Sequence, residues 1–480
     1  MLPLLNPDSS TPLFDQVYRF FKQSIIDGTL EFNTQLPSIR QLAKSLAVSN
    51  NTVIMAYQQL TDEGYLINMP RKGLFVANLD TQEINPPEKA PVLPLLAKHQ
   101  DTKPRAEYAF NLNQAGIDEA SFPIKAWRKC INWSLDKPFL QYGAYFGEPS
   151  LKKALARYLF QSRGVKTQPE QIVIGAGTIQ LMALLATLFK NKMPEKPKKQ
   201  IAFEEPGYQA SRQLWLDYDY QIQPVNVDPL TGIRLNELKS LWPDLIYLTP
   251  SHQFPLGGIM PVTHRLQILQ WAKERDCYLI EDDYDSEFRF RGKPIPALQA
   301  LDTHERVIYA GTFSKAFLPS LRLAYLVLPP HLLPHLNALQ HLGQSTSVNM
   351  QRAMAIFMEE GYWGKHLRKM RKVYKHKFEQ TLASLDQIMG DKIEVTTQAS
   401  GLSVLIKVKT KLSEQILVQR AREADIWLKG KRDTWFMPQN LPPWPHIAFG
   451  YGTLPIDQIA KVVKKLHQVW FEHHLVTRSQ

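Results

Sequence analysis

From Pro12 to Asp27 the apolar residues recur at helical spacing, with Phe14, Val17, Phe20 or Phe21 and Ile25 on one face and Gly28 closing the run. A second amphipathic helix opens after Pro37. It has Ser38 as N-cap and Gln41 at the capping-box position, and turns Leu42, Ala43 and Leu46 inward. The short turn Ala47-Val48-Ser49 leads to a third helix from Asn50, which carries Val53, Ala56 or Tyr57 and Leu60 and stops at Gly64. The period then falls to two. Tyr65-Leu-Ile-Asn and Leu74-Phe-Val-Ala predict hairpin strands around Met69–Gly73, a wing.

Residues 81–107 sustain neither period. They are rich in proline and mixed charge, which predicts an extended, semi-stiff linker between a small unit, 1–80, and a large one, 108–480. Beyond it, near-continuous apolar runs alternate with stretches of helical spacing. The runs are Gln171-Ile-Val-Ile-Gly, Gln200-Ile-Ala-Phe-Glu, Leu245-Ile-Tyr-Leu-Thr, Cys277-Tyr-Leu-Ile-Glu and Val307-Ile-Tyr-Ala-Gly; Ile179–Phe189 and Arg265–Arg275 show the helical spacing. Strands buried on both faces and joined by crossover helices read this way, so the class is α/β with a mainly parallel sheet. Ligands of such sheets sit beyond the strands' carboxyl ends.

Composition changes this picture only a little. A chain of 480 residues with 44% hydrophobic content can fill a large core. Cys130 and Cys277 stand far apart without metal spacing, which argues for a reducing compartment and against a disulfide framework. The start lacks a charged and then apolar leader, and no apolar run approaches the ~18 residues that span a bilayer. The expectation is a cytoplasmic protein. The net charge of +12 invites a nucleic-acid partner. Residues 1–80, however, set Arg19, Lys22, Arg40, Lys44, Arg71 and Lys72 against Asp8, Asp15, Asp27, Glu31, Asp62, Glu63 and Asp80. Net charge therefore does not locate a DNA-binding face.

Side-chain chemistry does. Ser38, Arg40, Ser49, Asn50, Asn51 and Thr52 stand at the exposed starts of the second and third helices, where they can donate to phosphates or base edges. Arg71 and Lys72 in the wing can reach backbone or minor groove, and Gly73 permits close approach. Helix-turn-helix geometry puts such a third helix into a major groove. A helical dimerisation module is the plainer alternative. The segment LPSIRQLAKSLAVSNNTVIMAYQQLTDEGYL…RKGLFVA resembles the GntR winged-helix domain over roughly 12–78. The resemblance implies Arg40 on phosphate and Ser49 and Asn51 at base edges; Asn50 stands where the family often has a basic residue.

In the large unit the polar residues gather at strand ends. Gly175-Ala176-Gly177-Thr178 precedes a helix whose N-terminus attracts an anion. Tyr208, after Glu205-Pro-Gly, could stack on a heteroaromatic ring or simply pack a helix. Glu281-Asp282-Asp283-Tyr284-Asp285 follows a buried strand, where a carboxylate can hold a pyridinium N–H; a solvated loop and a metal site are the alternatives, the latter without an obvious ligand spacing. Lys315 ends Val307-Ile-Tyr-Ala-Gly-Thr-Phe-Ser-Lys, and Arg322 lies seven residues on. A lysine amine in a hydroxyl-lined loop beside a guanidinium suits pyridoxal phosphate, with lysine as Schiff base and arginine on phosphate.

The order of Gly-rich turn, aromatic, carboxylate, lysine and arginine resembles fold type I aminotransferases over roughly 108–470. With TPSHQFPLG, IEDDYDSEFRF and VIYAGTFSKAFLPSLRLAYLVLPP, the whole chain resembles a MocR-type regulator of the GntR superfamily. The resemblance implies a smaller C-terminal subdomain, pyridoxal 5′-phosphate as cofactor, and no metal. It puts Lys315 in the aldimine, Asp282 on the pyridine nitrogen, Tyr284 toward the ring 3-hydroxyl and Tyr208 on the ring face. Ala176, Gly177, Thr178, Thr312 and Arg322 would surround the phosphate. It implies further a head-to-tail, domain-swapped homodimer.

The departures fall on the 3-hydroxyl and the effector. Phe254 stands where aminotransferases carry an asparagine, leaving the 3-hydroxyl one donor short or served by His252 or Gln253. Ala210 replaces an arginine of the γ-aminobutyrate-responsive member, and His446 lies near the place of the late carboxylate-binding arginine, with Arg432 as a substitute. The leading expectation is a DNA-binding regulator that responds to pyridoxal phosphate itself, or to an amino compound forming an aldimine with it. Its targets would lie in vitamin B6 synthesis or amino-acid metabolism. A working aminotransferase with an appended autoregulatory domain is the alternative, and a DNA-binding scaffold with an empty fold the third.

Overall fold

The computed structural model describes residues 2–79, 107–135, 141–196, 198–290, 292, 295–396 and 400–472; the stretch read as a linker lies outside them except for Glu107. The chain divides into two compact units, Met1–Thr102 and Lys103–Gln480.

In the first unit, α1 (Leu13–Ile26), α2 (Ile39–Leu46) and α3 (Asn50–Asp62) enclose Val17, Phe21, Ile25, Leu42, Val53 and Leu60. Ala56 and Tyr57 are both buried, and Phe21 rather than Phe20 occupies the α1 core position. Ser38 caps α2 by accepting from the Gln41 N–H at 3.3 Å. Gly64, at φ +83°, and the Tyr65 N–H bonded back to the Leu60 carbonyl (2.8 Å) end α3. Tyr65 thus belongs to the cap, and the wing begins one residue later than its pattern predicts. Strands β1 (Leu66–Met69) and β2 (Gly73–Val76) pair antiparallel, with Met69 opposite Gly73.

The second unit begins with β3 (Phe110–Asn111) and then α4 (Ile124–Ser134) and α5 (Pro149–Arg163). Its main sheet contains β4 (Ile172–Gly175), β5 (Gln200–Glu205), β6 (Gln221–Asp228), β7 (Gly232–Ile233), β8 (Leu245–Leu248), β9 (Tyr278–Asp283), β10 (Val307–Thr312) and β11 (Ala324–Val327). The spatial order is β4-β11-β10-β9-β8-β5-β6-β7. Pairing from β10 through β6 is parallel, while β11 runs against both neighbours and β7 against β6. The apolar runs are buried along their length, as strands covered on both faces must be. Helix α6 (Thr178–Lys192) follows β4, and α7 (Gln209–Asp217) follows β5.

A smaller C-terminal subdomain holds β12 (Ile393–Val395), β13 (Ser403–Val408), β14 (Ile426–Trp427), β15 (Lys429–Gly430) and β16 (His446–Gly450). Four of these form an antiparallel sheet ordered β12-β13-β16-β15. The remaining one, β14, pairs in parallel with β3, tying the start of this unit to its end. That tie carries Gln114 to the carboxyl ends of the main strands. No helix among the described residues is long and apolar enough to cross a membrane.

Candidate functional site

Gly177, Thr178, Tyr208, Asp282, Tyr284, Thr312, Lys315 and Arg322 line one cavity of about 300 Å³ at the carboxyl ends of the parallel strands. The size is at the lower end for a small-molecule site. Ala176 is not brought into it: its N–H binds the Gln180 side chain (3.1 Å) and its carbonyl accepts from Arg322 (3.1 Å). Gln114, Ala115, Ile179, Thr249, Ser314 and Pro319 line the cavity without having been singled out from the sequence. They are uncharged, and although Ile179 and Thr249 belong to patterned stretches, only the fold brings the six together.

Lys315 ends its loop with Nζ donating to the Gln114 carbonyl at 2.7 Å. Burial lowers its pKa, against the opposing charge of Asp285. An amine held closer to neutrality is what a nucleophilic lysine requires.

The acidic run at the end of β9 is not solvated. Glu281, Asp282, Asp283 and Asp285 are all buried, and each has different partners. Glu281 accepts from the Leu298 and Gln299 N–H groups at 2.7 and 2.9 Å. Asp283 takes Arg163 (2.8 Å) and the Tyr309 hydroxyl (2.5 Å), and Asp285 takes His252 (2.8 Å). Asp282 accepts from Tyr247 through Oδ2, while its Oδ1 is buried without a hydrogen-bond partner. Burial raises the Asp282 pKa to about 7, and Tyr247 opposes the rise. Oδ1 thus lacks a donor in a residue that lines the cavity, and a protonated pyridine nitrogen is a donor that suits it. The described residues contain no metal-binding cluster.

The anion end is built on backbone. Gly177 caps α6 at φ +109°, and a Cβ there would collide with Arg322 Nη2. Glycine therefore lets a helix N-terminus and a guanidinium share one place, an arrangement that favours phosphate. Arg322 itself adopts φ +51° two residues before β11. Thr312 Oγ1 lies 3.1 Å from Ser314 Oγ, adding hydroxyls at the same end.

Phe254 packs between two other aromatic rings. Its ring centroid lies 5.7 Å from that of Tyr208 and 6.0 Å from that of Tyr284, both nearly perpendicular. The Tyr284 hydroxyl contacts His252 Nδ1 at 3.1 Å. Gln253 is not free to serve a ligand, since its Nε2 donates to the Pro206 and Phe254 carbonyls at 2.9 and 2.7 Å. Ala210 is exposed on α7. His446 binds the Trp444 carbonyl (3.0 Å) and shares a separate hollow with Arg432. Neither reaches the cavity.

In the first unit Arg40, Asn50, Asn51, Arg71 and Lys72 are exposed, and no ion pair among the described residues engages the three cations. Arg19 and Lys22, by contrast, pair with Asp15 and Glu63 at 2.8 Å each. The near-neutral unit thus keeps cations without an ion pair among the described residues at both ends of α2, Arg40 and Lys44, and in the wing. Ser49 accepts from the Thr52 N–H (3.2 Å) and its Oγ lies 2.9 Å from Thr52 Oγ1, so both hydroxyls also serve the α3 cap. Ile54 and Met55, exposed on α3, were not singled out from the sequence; such groups can meet a thymine methyl.

Residues 109–429 match the aminotransferase class I and II family, and residues 13–76 match the gntR family of bacterial regulatory proteins. The HTH-type transcriptional regulator YhdI of Bacillus subtilis is 38% identical over 472 residues, 98% of either chain. The probable rhizopine catabolism regulatory protein MocR of Rhizobium meliloti is 33% identical, over 97% of this chain and 95% of that one. Among solved structures, the α-aminoadipate aminotransferase LysN of Thermus thermophilus superimposes with a TM-score of 0.66 at 26% identity. That match covers 74% of this chain and 90% of that one.

Proposed function

The chain belongs to the MocR-type transcription regulators, a gntR-family DNA-binding domain joined to an aminotransferase class I and II domain, and we propose that ligand chemistry at Lys315 sets its affinity for DNA. Pyridoxal 5′-phosphate is the cofactor of this fold; when bound, it supplies an aldehyde for amines and a ring that withdraws electrons. The observation that carries the reading is that Asp282, whose buried Oδ1 has no hydrogen-bond partner, and Lys315 line the same cavity. Asp282 would hold the ring nitrogen protonated, Gly177, Thr178, Thr312 and Arg322 the phosphate, and Tyr208 the ring face. The signal is the cofactor itself or an amino compound that reacts with it, and the targets lie in vitamin B6 synthesis or amino-acid metabolism.

A ligand shifts such a regulator only by its differential affinity for the DNA-binding and non-binding states. In the reader, Arg40, Arg71 and Lys72 would grip phosphates, and Ser49 and Asn51 would face base edges. Two readers are needed for two half-sites, so the protein acts in the cytoplasm as a homodimer, head-to-tail and domain-swapped. A monomer by light scattering at micromolar concentration would refute the dimer. The main test adds pyridoxal phosphate to the purified chain and records both the visible spectrum and operator affinity. A new visible band with a changed affinity is expected, and a band without any change in affinity would overturn the sensing role. Because Lys315 and Asp282 also suit proton transfer, a keto-acid assay on the same sample separates a working aminotransferase from a sensor.

A further inference from the structure

Lys431 is a buried lysine whose ammonium rests over the Phe254 ring without a hydrogen bond or counter-ion among the described residues. The residue is only 4% exposed, yet its Nζ makes no hydrogen bond or ion pair among the described residues. The other buried lysines are satisfied: Lys377 reaches Asp118 (2.7 Å) and the Gly452 carbonyl (2.8 Å), and Lys199 the Lys196 carbonyl (3.1 Å). Lys431 is not loosely held. Its N–H donates to the His446 carbonyl (2.9 Å) and Glu414 (3.0 Å), and its carbonyl accepts from the Thr434 hydroxyl (2.6 Å). With the backbone clamped, the side chain runs to Phe254 and stands 4.5 Å from the ring centroid.

The space it faces adjoins the cofactor cavity. Lys431 lines a compartment of about 30 Å³ with Gln114, Phe254, Tyr284 and Lys315, which all line the larger cavity as well. At roughly 10–15 Å³ per water, that is room for about two waters or for the two oxygens of one carboxylate. The acid that shares this compartment, Asp285, is already taken by His252. Burial brings the Lys431 pKa down to about 7 against the pull of Asp433, as expected of a cation that no ion pair among the described residues engages.

We infer that Lys431 receives the carboxylate of the effector, so that this regulator answers to amino acids rather than to simple amines. The inference rests on Lys315 being the cofactor lysine. It also explains how the site dispenses with arginine at Ala210 and His446. An ammonium is a point charge without arginine's bidentate fork, and it attracts an acid without fixing the acid's plane.

The test uses stable reduced adducts on the full-length apo-protein: N-phosphopyridoxyl derivatives of L-alanine, β-alanine and γ-aminobutyrate, beside that of ethylamine, which lacks the acid. Calorimetric titration should find at least one acid-bearing adduct bound tenfold or more tighter than the ethylamine adduct. In Lys431→Met that ratio should fall to within threefold of one, with ethylamine-adduct affinity changed less than threefold, and Lys431→Arg should keep most of the preference. Equal affinity for all adducts in the wild type, or a preference that survives Lys431→Met, overturns the inference while leaving the cofactor reading intact. Failure of every adduct to bind the wild type overturns the cofactor reading first, and the inference with it.

Discussion

The two units solve opposite problems with the same residue types. In the DNA-reading unit the polar groups assigned to function stand at helix starts and in a hairpin turn, close in sequence and open to water. Arg40, Asn50 and Asn51 fall within a dozen residues, and Arg71 and Lys72 follow in the wing. In the aminotransferase-like unit the corresponding groups, the exposed Arg322 apart, are buried or half-buried and come from distant segments: Gln114, Gly177, Asp282, Lys315 and Lys431 meet around adjoining cavities. Exposed charges keep their hydration and contribute little until a partner arrives. Enclosed charges have lost it, so each needs a partner or reveals the want of one. Surface sites are therefore read from local pattern, and interior sites from unsatisfied atoms.

The contrast can be broken most severely at Lys315. Lys315→Ala should abolish the visible band that appears on adding pyridoxal phosphate, and borohydride should cease to fix cofactor to the chain. DNA binding without ligand should persist, because the reader has its own core. An unchanged spectrum would assign the cofactor to another lysine, and Lys431 would be the first to test.

A smaller loss is expected at Gly177. Alanine there must hold φ near +109° and displace the Arg322 guanidinium. Backbone strain of that kind costs on the order of 1–3 kcal/mol; relieved by withdrawing the helix start from the phosphate, it corresponds to about a fivefold to 150-fold weaker cofactor affinity. Titrating the visible band measures it directly. Wild-type affinity in Gly177→Ala would place the phosphate elsewhere.

These enclosed groups also mark where sequence reading stops. The alternation of apolar runs was enough for the mainly parallel sheet, because strands buried on both faces leave no other pattern. Lys315, Asp282 and Arg322 were legible because each ends or adjoins such a run. Tyr247 was not: it sits inside Leu245–Leu248 and looks like one more core residue until its hydroxyl meets Asp282. Lys431 was hidden for another reason. Lys429, Lys431 and Arg432 crowd together, and only the fold turns Lys431 inward while leaving Lys429 and Arg432 exposed. Ser49 and Thr52 show the converse. Their position is evident in sequence, but one hydroxyl can both cap a helix and face DNA, and spacing does not separate the two uses.

On the exposed side the effects should be smaller and more local. Asn51→Ala should cost about 1–3 kcal/mol at the specific operator and little on random DNA. Arg40→Ala should weaken binding to both and lower the salt slope by about one. Anisotropy titrations over a range of salt concentrations read both quantities. Equal losses on random DNA for the two variants would remove Asn51 from base reading.

The smallest effect is expected where the reader holds charge for itself. Glu63 joins α3 to α1 by accepting from Lys22 at 2.8 Å and from the Tyr18 hydroxyl at 2.7 Å. Lys22 first, and then Tyr18, bring its pKa down from 4.5 to about 2. A depressed carboxyl stabilises the fold above its unfolded value, and that contribution disappears as pH falls from about 4.5 toward 2. Because the pair is largely solvated, the contribution is screened and amounts to less than about 1 kcal/mol. Glu63→Gln should accordingly lower the stability of the first unit slightly at pH 7 and make no difference to cofactor titration. Tryptophan fluorescence cannot follow it, since every tryptophan lies in the second unit. Hydrogen exchange at the α1 and α3 amides of the full chain can. A loss of several kcal/mol there would mean that the reader, too, depends on an enclosed ion pair, and the division between exposed and enclosed charge would no longer separate the two units.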